Sequence, residues 1–258
     1  PTEGTWMRAR SAQPVILPRG AVVPFPDPNG FDREGLVAIG GDLSTERLLL
    51  AYRSGLFPWY AEGYVPMWWS PDPRALLDPA HLHVSRSLQK CLRRGGFTLT
   101  WNRCFPRVMR ECGQRRRDGT WILPEMLAAY ERLHRLGHAH SLEVWVDGEL
   151  VGGTYGVQVG GLFAAESMFH RATDMSKVAL VGLVRTLFAA GIQLLDVQFA
   201  TEHLRTLGAF EVPRAEYLRC CSVVASLAVD LRGLVPTLEA QAATPRESDP
   251  DAGPSARL

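Results

Sequence analysis

Apolar positions change their spacing about halfway along the chain. In the first half they fall in short segments between helix-capping residues and glycines. Ser44 can cap a helix from Thr45 to Arg53 that ends at Gly55, and Ser85 can cap a second helix from Arg86 to Arg94. This half therefore predicts short helices joined by loops.

From about residue 141 the apolar positions follow a strand pattern, interrupted by one longer helix. Asp147-Gly148 is a typical two-residue hairpin turn. The predicted order is a strand over 141–146, strands over 149–159 and 162–166, a helix over 176–190 and a strand over 194–199. This order predicts an α+β fold with a mixed, mostly antiparallel sheet. It is the order of an N-acyltransferase-like core, although many α+β folds share it.

Composition is ordinary for a globular chain, with 46% hydrophobic and 21% charged residues. No apolar run approaches the ~20 residues that a membrane span needs, and no signal-peptide pattern is present, so we expect a cytoplasmic protein. The five cysteines are odd in number and form no C-x-x-C pair, which argues against a disulfide framework or a zinc site. We expect no metal.

Charge is distributed unevenly along the chain. The segment from Arg86 to Arg117 contains ten basic residues and one acid, for a net charge of +9, whereas the whole chain carries +1. Four bases on the second predicted helix are spaced at offsets 0, 4, 7 and 8 and share one face: Arg86, Lys90, Arg93 and Arg94. The array predicts binding of a polyanion such as tRNA, the alternative being a solvated basic face.

An ordered set of motifs resembles the bacterial leucyl/phenylalanyl-tRNA–protein transferases, from about Pro24 to Leu231. The motifs are Phe57-Pro58-Trp59, Trp68-Trp69-Ser70-Pro71-Asp72-Pro73-Arg74, Gly119-Thr120-Trp121-Ile122, Gly137-His138-Ala139-His140-Ser141, Val151-Gly152-Gly153, Glu166-Ser167-Met168-Phe169, Ser176-Lys177, Asp196-Val197-Gln198 and His203 to Ala209.

The resemblance implies a cytoplasmic enzyme, expected to be a monomer, that needs no cofactor or metal. Such an enzyme transfers Leu or Phe, with Met as a further candidate, from aminoacyl-tRNA to proteins beginning with Arg or Lys, which marks them for proteolysis. It also implies a C-terminal domain like the GNAT acyltransferases. We expect a loose segment over 1–23, a small N-terminal α+β domain with aromatic loops over 24–84, a GNAT-like domain over 85–235 and a disordered tail over 236–258.

The implied reaction is aminolysis of an activated ester. The attacking α-amine has a pKa near ~8, so a strong base is unnecessary and positioning can supply most of the rate. Asp196 and Gln198 are two residues apart on a predicted strand and should share a face, so the carboxylate can orient the amide toward the amine. The alternative is that Asp196 pairs with a basic neighbour and Gln198 lies on a polar sheet face. The proton acceptor stays open among Gln198, Asp196 and a tRNA ribose hydroxyl.

The transferred side chain requires a dry, adaptable pocket. The resemblance suggests Glu166 for the α-amino group or a ribose, and an apolar set that alternatively packs in the core: Trp59, Trp121, Met168, Leu183 and Leu195. A structural ion pair is the alternative for Glu166. Thr154 and Leu183 stand where a familiar member has Met and Phe, which bears on the pocket's shape.

Three other functions compete. An acyl-CoA-dependent N-acetyltransferase binds pyrophosphate at a glycine-rich turn, but the matching turn over 171–176 has no glycine and contains Asp174. A non-catalytic RNA-binding protein would not require Asp196, Gln198 or Glu166. A sister transferase sends Leu to N-terminal Asp or Glu, whereas the motifs here resemble the Arg/Lys-accepting type.

Overall fold

The computed structural model describes residues 11–114 and 122–239. The predicted helix starts are confirmed by their caps, because Ser44 Oγ accepts the Arg47 N–H and Ser85 Oγ accepts the Leu88 N–H. The elements of the first part are β1 (Val15–Leu17), a 3-10 turn (Pro28–Gly30), β2 (Leu36–Gly40), α1 (Thr45–Arg53), β3 (Phe57–Pro58) and β4 (Met67–Trp69). Its four strands form one sheet in the order β1-β2-β4-β3.

A seven-stranded sheet forms the larger part of the molecule. Its elements are β5 (Arg74–Leu76), α2 (Arg86–Arg94), β6 (Thr98–Trp101), α3 (Phe105–Gly113), α4 (Pro124–Arg135), β7 (Ala139–Val146), β8 (Glu149–Val159), β9 (Leu162–His170), α5 (Met175–Ala189), β10 (Leu194–Gln198), α6 (Glu202–Thr206), β11 (Phe210–Val212) and α7 (Arg214–Val224). The strand order is β11-β5-β10-β9-β8-β7-β6. Every pair is antiparallel except β9 with β10, so the predicted α+β class with a mixed, mostly antiparallel sheet is confirmed.

Helices cover both faces of this sheet. Leu195 and Phe163 pack with α5 and α2 on one face, where the apolar face of α5 is almost fully buried. Leu194 and Leu162 pack with α7 on the other face. The alternation follows from the strand period of two and puts β10 between two apolar layers.

Two expected boundaries differ from the observed architecture. Strand β5 lies before residue 84 but pairs with β10 and β11 in the second sheet, where its three residues are all buried. Within the segment over 1–23 that we expected to be loose, β1 pairs in parallel with β2. The two sheets therefore do not divide at residue 84.

The first residues of the expected tail contact the body. Thr237 N donates to Thr186 Oγ1 on α5 at 2.9 Å, and Leu238 packs against the core beneath that helix. The part of the chain that packs on the body of the protein thus extends past residue 235, and residues 240–258 lie outside the described part. Among the described residues, no helix is long and apolar enough to cross a membrane.

Candidate active site

The second sheet splits between β9 and β10. Their parallel pairing covers only Leu194 to Asp196 on β10, opposite Leu162 to Ala164 on β9. Beyond that point β9 continues along β8 to His170, whereas β10 shifts register against β5 between Asp196 and Gln198. A gap therefore opens in the sheet between the two strands.

A cavity of about 450 Å³ occupies this gap, a volume typical of small-ligand sites. Most of its wall is apolar or aromatic. Four of the predicted site residues line it: Trp59, Glu166, Met168 and Gln198. The other lining residues are Phe57, Pro58, Thr154, Ala165, Ser167, Leu180, Val197, Phe199, Thr201, His203 and Leu204.

Gln198 sits in a strained backbone conformation at the edge of the cavity. Its φ is +56°, in the left-handed region that disfavours residues with a side chain. The residue is only 8% exposed, and its side-chain Nε2 has no hydrogen-bond partner among the described residues. A buried amide donor without a partner is costly, so it is ready to bond an atom that enters the cavity.

Asp196 is fully buried and pairs with a basic residue, which is the alternative that the sequence left open. Its carboxylate accepts two bonds from Arg74, at 2.8 and 2.5 Å, and one from the Tyr217 hydroxyl at 2.9 Å. Its contact with Gln198 is through the backbone, since the Gln198 N–H donates to Oδ1 at 2.9 Å. The expected bond between the carboxylate and the Gln198 side-chain amide is absent, because the register shift breaks the alternation that would place both on one face.

Arg74 is the residue that sequence reasoning missed. Burial alone lowers the pKa of its guanidinium, but the adjacent charge of Asp196 outweighs that effect and raises it. A clue was available, because a lone carboxylate on an apolar strand requires a cationic partner and Arg74 ends one of the aromatic motifs. The pair joins residues 122 positions apart and anchors β5 to β10.

Glu166 stands on the β9 side of the gap. Tyr52 donates its hydroxyl hydrogen to Oε1 at 2.7 Å, and the hydroxyl of Tyr130 hydrogen-bonds that of Tyr52. Burial raises the pKa of Glu166 to about 8, more than the Tyr52 bond lowers it. The group is therefore mostly protonated at neutral pH and can take up a negative charge when a cation enters the cavity.

The predicted apolar set is only partly assembled around the cavity. Leu183 on α5 and Leu195 on β10 are fully buried in the core and do not line the cavity. Leu180, one turn before Leu183, takes that place. Trp121 lies outside the described residues. Trp59 is 44% exposed at the rim, against Trp69 and Phe199.

The four bases of α2 lie where their spacing predicted. All four are exposed while Leu88 of the same helix is buried. In the described part of the chain no carboxylate lies within 4 Å of any of them. This face is therefore an uncompensated cluster of positive charge.

Comparison with known proteins identifies the family. Residues 76–222 match the family described as leucyl/phenylalanyl-tRNA protein transferase, and residues 41–72 match the N-terminal domain of that family. The leucyl/phenylalanyl-tRNA–protein transferase of Syntrophobacter fumaroxidans is 55% identical over 197 residues, which cover 75% of this chain and 84% of that protein. The enzyme of the same name from Anaeromyxobacter sp. strain Fw109-5 is 54% identical over 205 residues, covering 78% and 86%.

Solved structures show weaker similarity. L-PGS from Bacillus licheniformis matches with a TM-score of 0.37 and 13% identity, covering 62% of this chain and 51% of that one. A GCN5-related N-acetyltransferase from Kribbella flavida matches with a TM-score of 0.36 and 12% identity, covering 67% and 63%.

The fold and the cavity together define an α+β enzyme with a substrate-sized site at a split in its main sheet. The chain belongs to the leucyl/phenylalanyl-tRNA–protein transferase family, and it is an aminoacyltransferase.

Proposed function

We propose that this enzyme transfers Leu or Phe from aminoacyl-tRNA to the N-terminus of proteins beginning with Arg or Lys. Family membership supports an aminoacyl-tRNA and a protein as its two substrates. The observation that carries the assignment is the apolar cavity at the sheet split, with the Glu166 carboxyl and the Gln198 amide on its two sides.

The aminoacyl end of the tRNA enters this cavity. A Leu or Phe side chain packs against Phe57, Met168 and Leu180, where water is excluded. Its α-ammonium group lies beside Glu166, and the attraction lowers the pKa of that carboxyl so that it ionises. The pairing selects a free α-amino group next to an apolar side chain.

Gln198 orients the attacking amine. Its side-chain oxygen accepts a hydrogen bond from the amine, while the partnerless Nε2 donates to an oxygen of the ester. The amine nitrogen bonds to the ester carbon, the bond to the ribose oxygen breaks, and the amine proton ends on that oxygen. Asp196 is a positioning residue, since it fixes the Gln198 backbone and is itself fixed by Arg74.

The basic face of α2 binds the tRNA backbone. Arg86, Lys90, Arg93 and Arg94 are exposed and have no acidic partner within the described residues, so phosphates relieve their mutual repulsion. We further propose a cytoplasmic monomer. Its transferase core comprises residues 85–239 together with β5, and residues 15–69 form the smaller unit.

An acyl-CoA-dependent reaction is disfavoured by the turn before α5. Arg171 is bonded to Glu111 on α3, and Lys177 is bonded to Asp174 at 2.9 Å. The cations nearest this turn therefore already have carboxylate partners, and no glycine lies between residues 171 and 176.

The direct test is incubation with labelled Leu-tRNA or Phe-tRNA and a protein that begins with Arg. Matched acceptors differ only in beginning with Asp or Met. We expect label on the Arg-initiated protein alone. Label on the Asp-initiated protein would identify the sister specificity, and acetylation from acetyl-CoA without tRNA would refute the assignment.

A further inference from the structure

A second cavity, of about 390 Å³, lies between α2 and α5, on the face of the sheet opposite α7. It shares no lining residue with the cavity at the sheet split. The residues that line it are Val84, Gln89, Leu92, Arg93, Arg185 and Leu238.

The wall of this cavity combines apolar surface with positive charge. Val84, Leu92 and Leu238 are half-buried and pack against the core below. Two guanidinium groups, those of Arg93 and Arg185, complete the lining, and none of its described members is acidic. A ligand that fits has an apolar body and a negative charge.

Arg185 has an unusual environment for a half-buried arginine. Its Nη1 donates to the backbone oxygen of Leu238, and within the described chain no carboxylate lies within 4 Å of it. Partial burial lowers its pKa. Arg74 and Arg171, by contrast, are each bonded to a carboxylate. A partly desolvated cation without a counterion favours an incoming anion.

We infer that this cavity binds an unpaired nucleotide of the tRNA, with the base on the apolar walls and its phosphate between Arg93 and Arg185. The inference rests on the proposed contact of α2 with tRNA. Arg93 belongs to both surfaces, so the cavity continues the basic face of α2 onto α5. Contact of bases with apolar and guanidinium surfaces, together with phosphate neutralisation, is the usual way proteins hold unpaired nucleotides.

The test measures tRNA affinity over a range of salt concentrations for Arg185→Met, in the full-length chain. We expect binding about threefold to tenfold weaker. The slope of the logarithm of the binding constant against the logarithm of the salt concentration should become shallower by about 0.7, because one phosphate contact is lost. Arg185→Lys should recover part of the loss because it keeps the charge. Arg219→Met is the matched control, since it removes an exposed arginine from α7 on the opposite face.

Two RNA probes distinguish binding of an unpaired nucleotide from binding of the duplex backbone. One is a blunt acceptor-stem duplex, and the other is the same duplex with its single-stranded 3′ end. We expect Arg185→Met to weaken binding of the second probe only. An equal loss for both probes would overturn the nucleotide assignment, and no loss for either would overturn the site.

Two further variants separate the alternatives. Thr186→Val removes the acceptor of the Thr237 N–H and loosens the docked segment while keeping both guanidinium groups. If it reduces the salt dependence of tRNA binding as much as Arg185→Met does, although both guanidinium groups remain, the effect of Arg185→Met does not come from its lost charge and the inference fails. Changing all four α2 bases to Ala tests the proposed function itself. Loss of binding there, with none in Arg185→Met, refutes this inference alone, whereas retained binding in both refutes the tRNA surface.

Discussion

Two carboxyl groups on opposite sides of the sheet split have contrasting environments. Asp196 on β10 is bonded twice to Arg74 and once to Tyr217. Glu166 on β9 has a tyrosine hydroxyl as its partner, and burial raises its pKa to about 8. A buried carboxyl that is bonded to a cation anchors the strands around it, whereas a carboxyl with only neutral donors can change its charge when substrate arrives.

Removing the cation beside Asp196 should have the largest effect. Arg74→Met leaves a fully buried carboxylate without its counterion and should lower the free energy of unfolding by about 3–5 kcal/mol. Urea denaturation at pH 7 measures the loss. The double variant Arg74→Met with Asp196→Asn should recover part of it because no unpaired charge remains. A loss below about 1 kcal/mol in the single variant would show that the Arg74–Asp196 pair contributes little to stability.

Gln198→Ala tests whether the β10 side of the cavity, which Asp196 anchors, also orients the reacting groups. Loss of one orienting amide should slow transfer about ten- to a thousandfold, while tRNA affinity and thermal stability stay close to the parent values. Single-turnover transfer to an Arg-initiated acceptor, with tRNA binding measured in parallel, separates an effect on the rate of transfer from an effect on affinity. Full activity would remove Gln198 from the mechanism, and equal losses in binding and rate would make it a substrate-binding residue.

Glu166→Gln tests the raised pKa of the Glu166 carboxyl through the pH dependence of stability. The folded-state pKa of Glu166 is raised from 4.5 to about 8, so the folded protein binds the proton more tightly than the unfolded chain. This contribution to stability is complete below pH 4.5 and is lost as pH rises through 8, by at most about 1.4 kcal/mol per pH unit. We expect the unfolding free energy of the parent to fall relative to Glu166→Gln between pH 5.5 and 7.5. Parallel curves for the two proteins would contradict the raised pKa.

Tyr52→Phe should have the smallest effect. In the parent protein the Tyr52 hydroxyl donates to Glu166 and lowers its pKa, which partly offsets the effect of burial. Without this hydroxyl the pKa of the carboxyl should move above 8. If the ionised carboxylate binds the α-ammonium group, the pH profile of transfer shifts to higher pH. Stability should fall by about 1 kcal/mol for the lost bond. An unshifted profile would mean that ionisation of Glu166 does not limit transfer.

The sequence by itself determined the local structure and the family. Ser44 and Ser85 cap their helices through bonds that span three residues, and Asp147-Gly148 closes a hairpin between adjacent strands. The four exposed bases of α2 follow from helical spacing alone. These features depend on neighbours along the chain, which is why the residue pattern was sufficient to predict them.

The tertiary structure decided how the two carboxyl groups differ and which residues surround the cavity. The partner of Asp196 lies 122 residues away on β5, which joins the second sheet, and that of Glu166 lies 114 residues away on α1. The register shift in β10 turned Gln198 away from the predicted contact, and the rotation of α5 placed Leu180 at the cavity and Leu183 in the core. Strand alternation and helical period specify which side chains share a face. Which face meets a cavity depends on long-range packing, because burial of the whole apolar surface decides it.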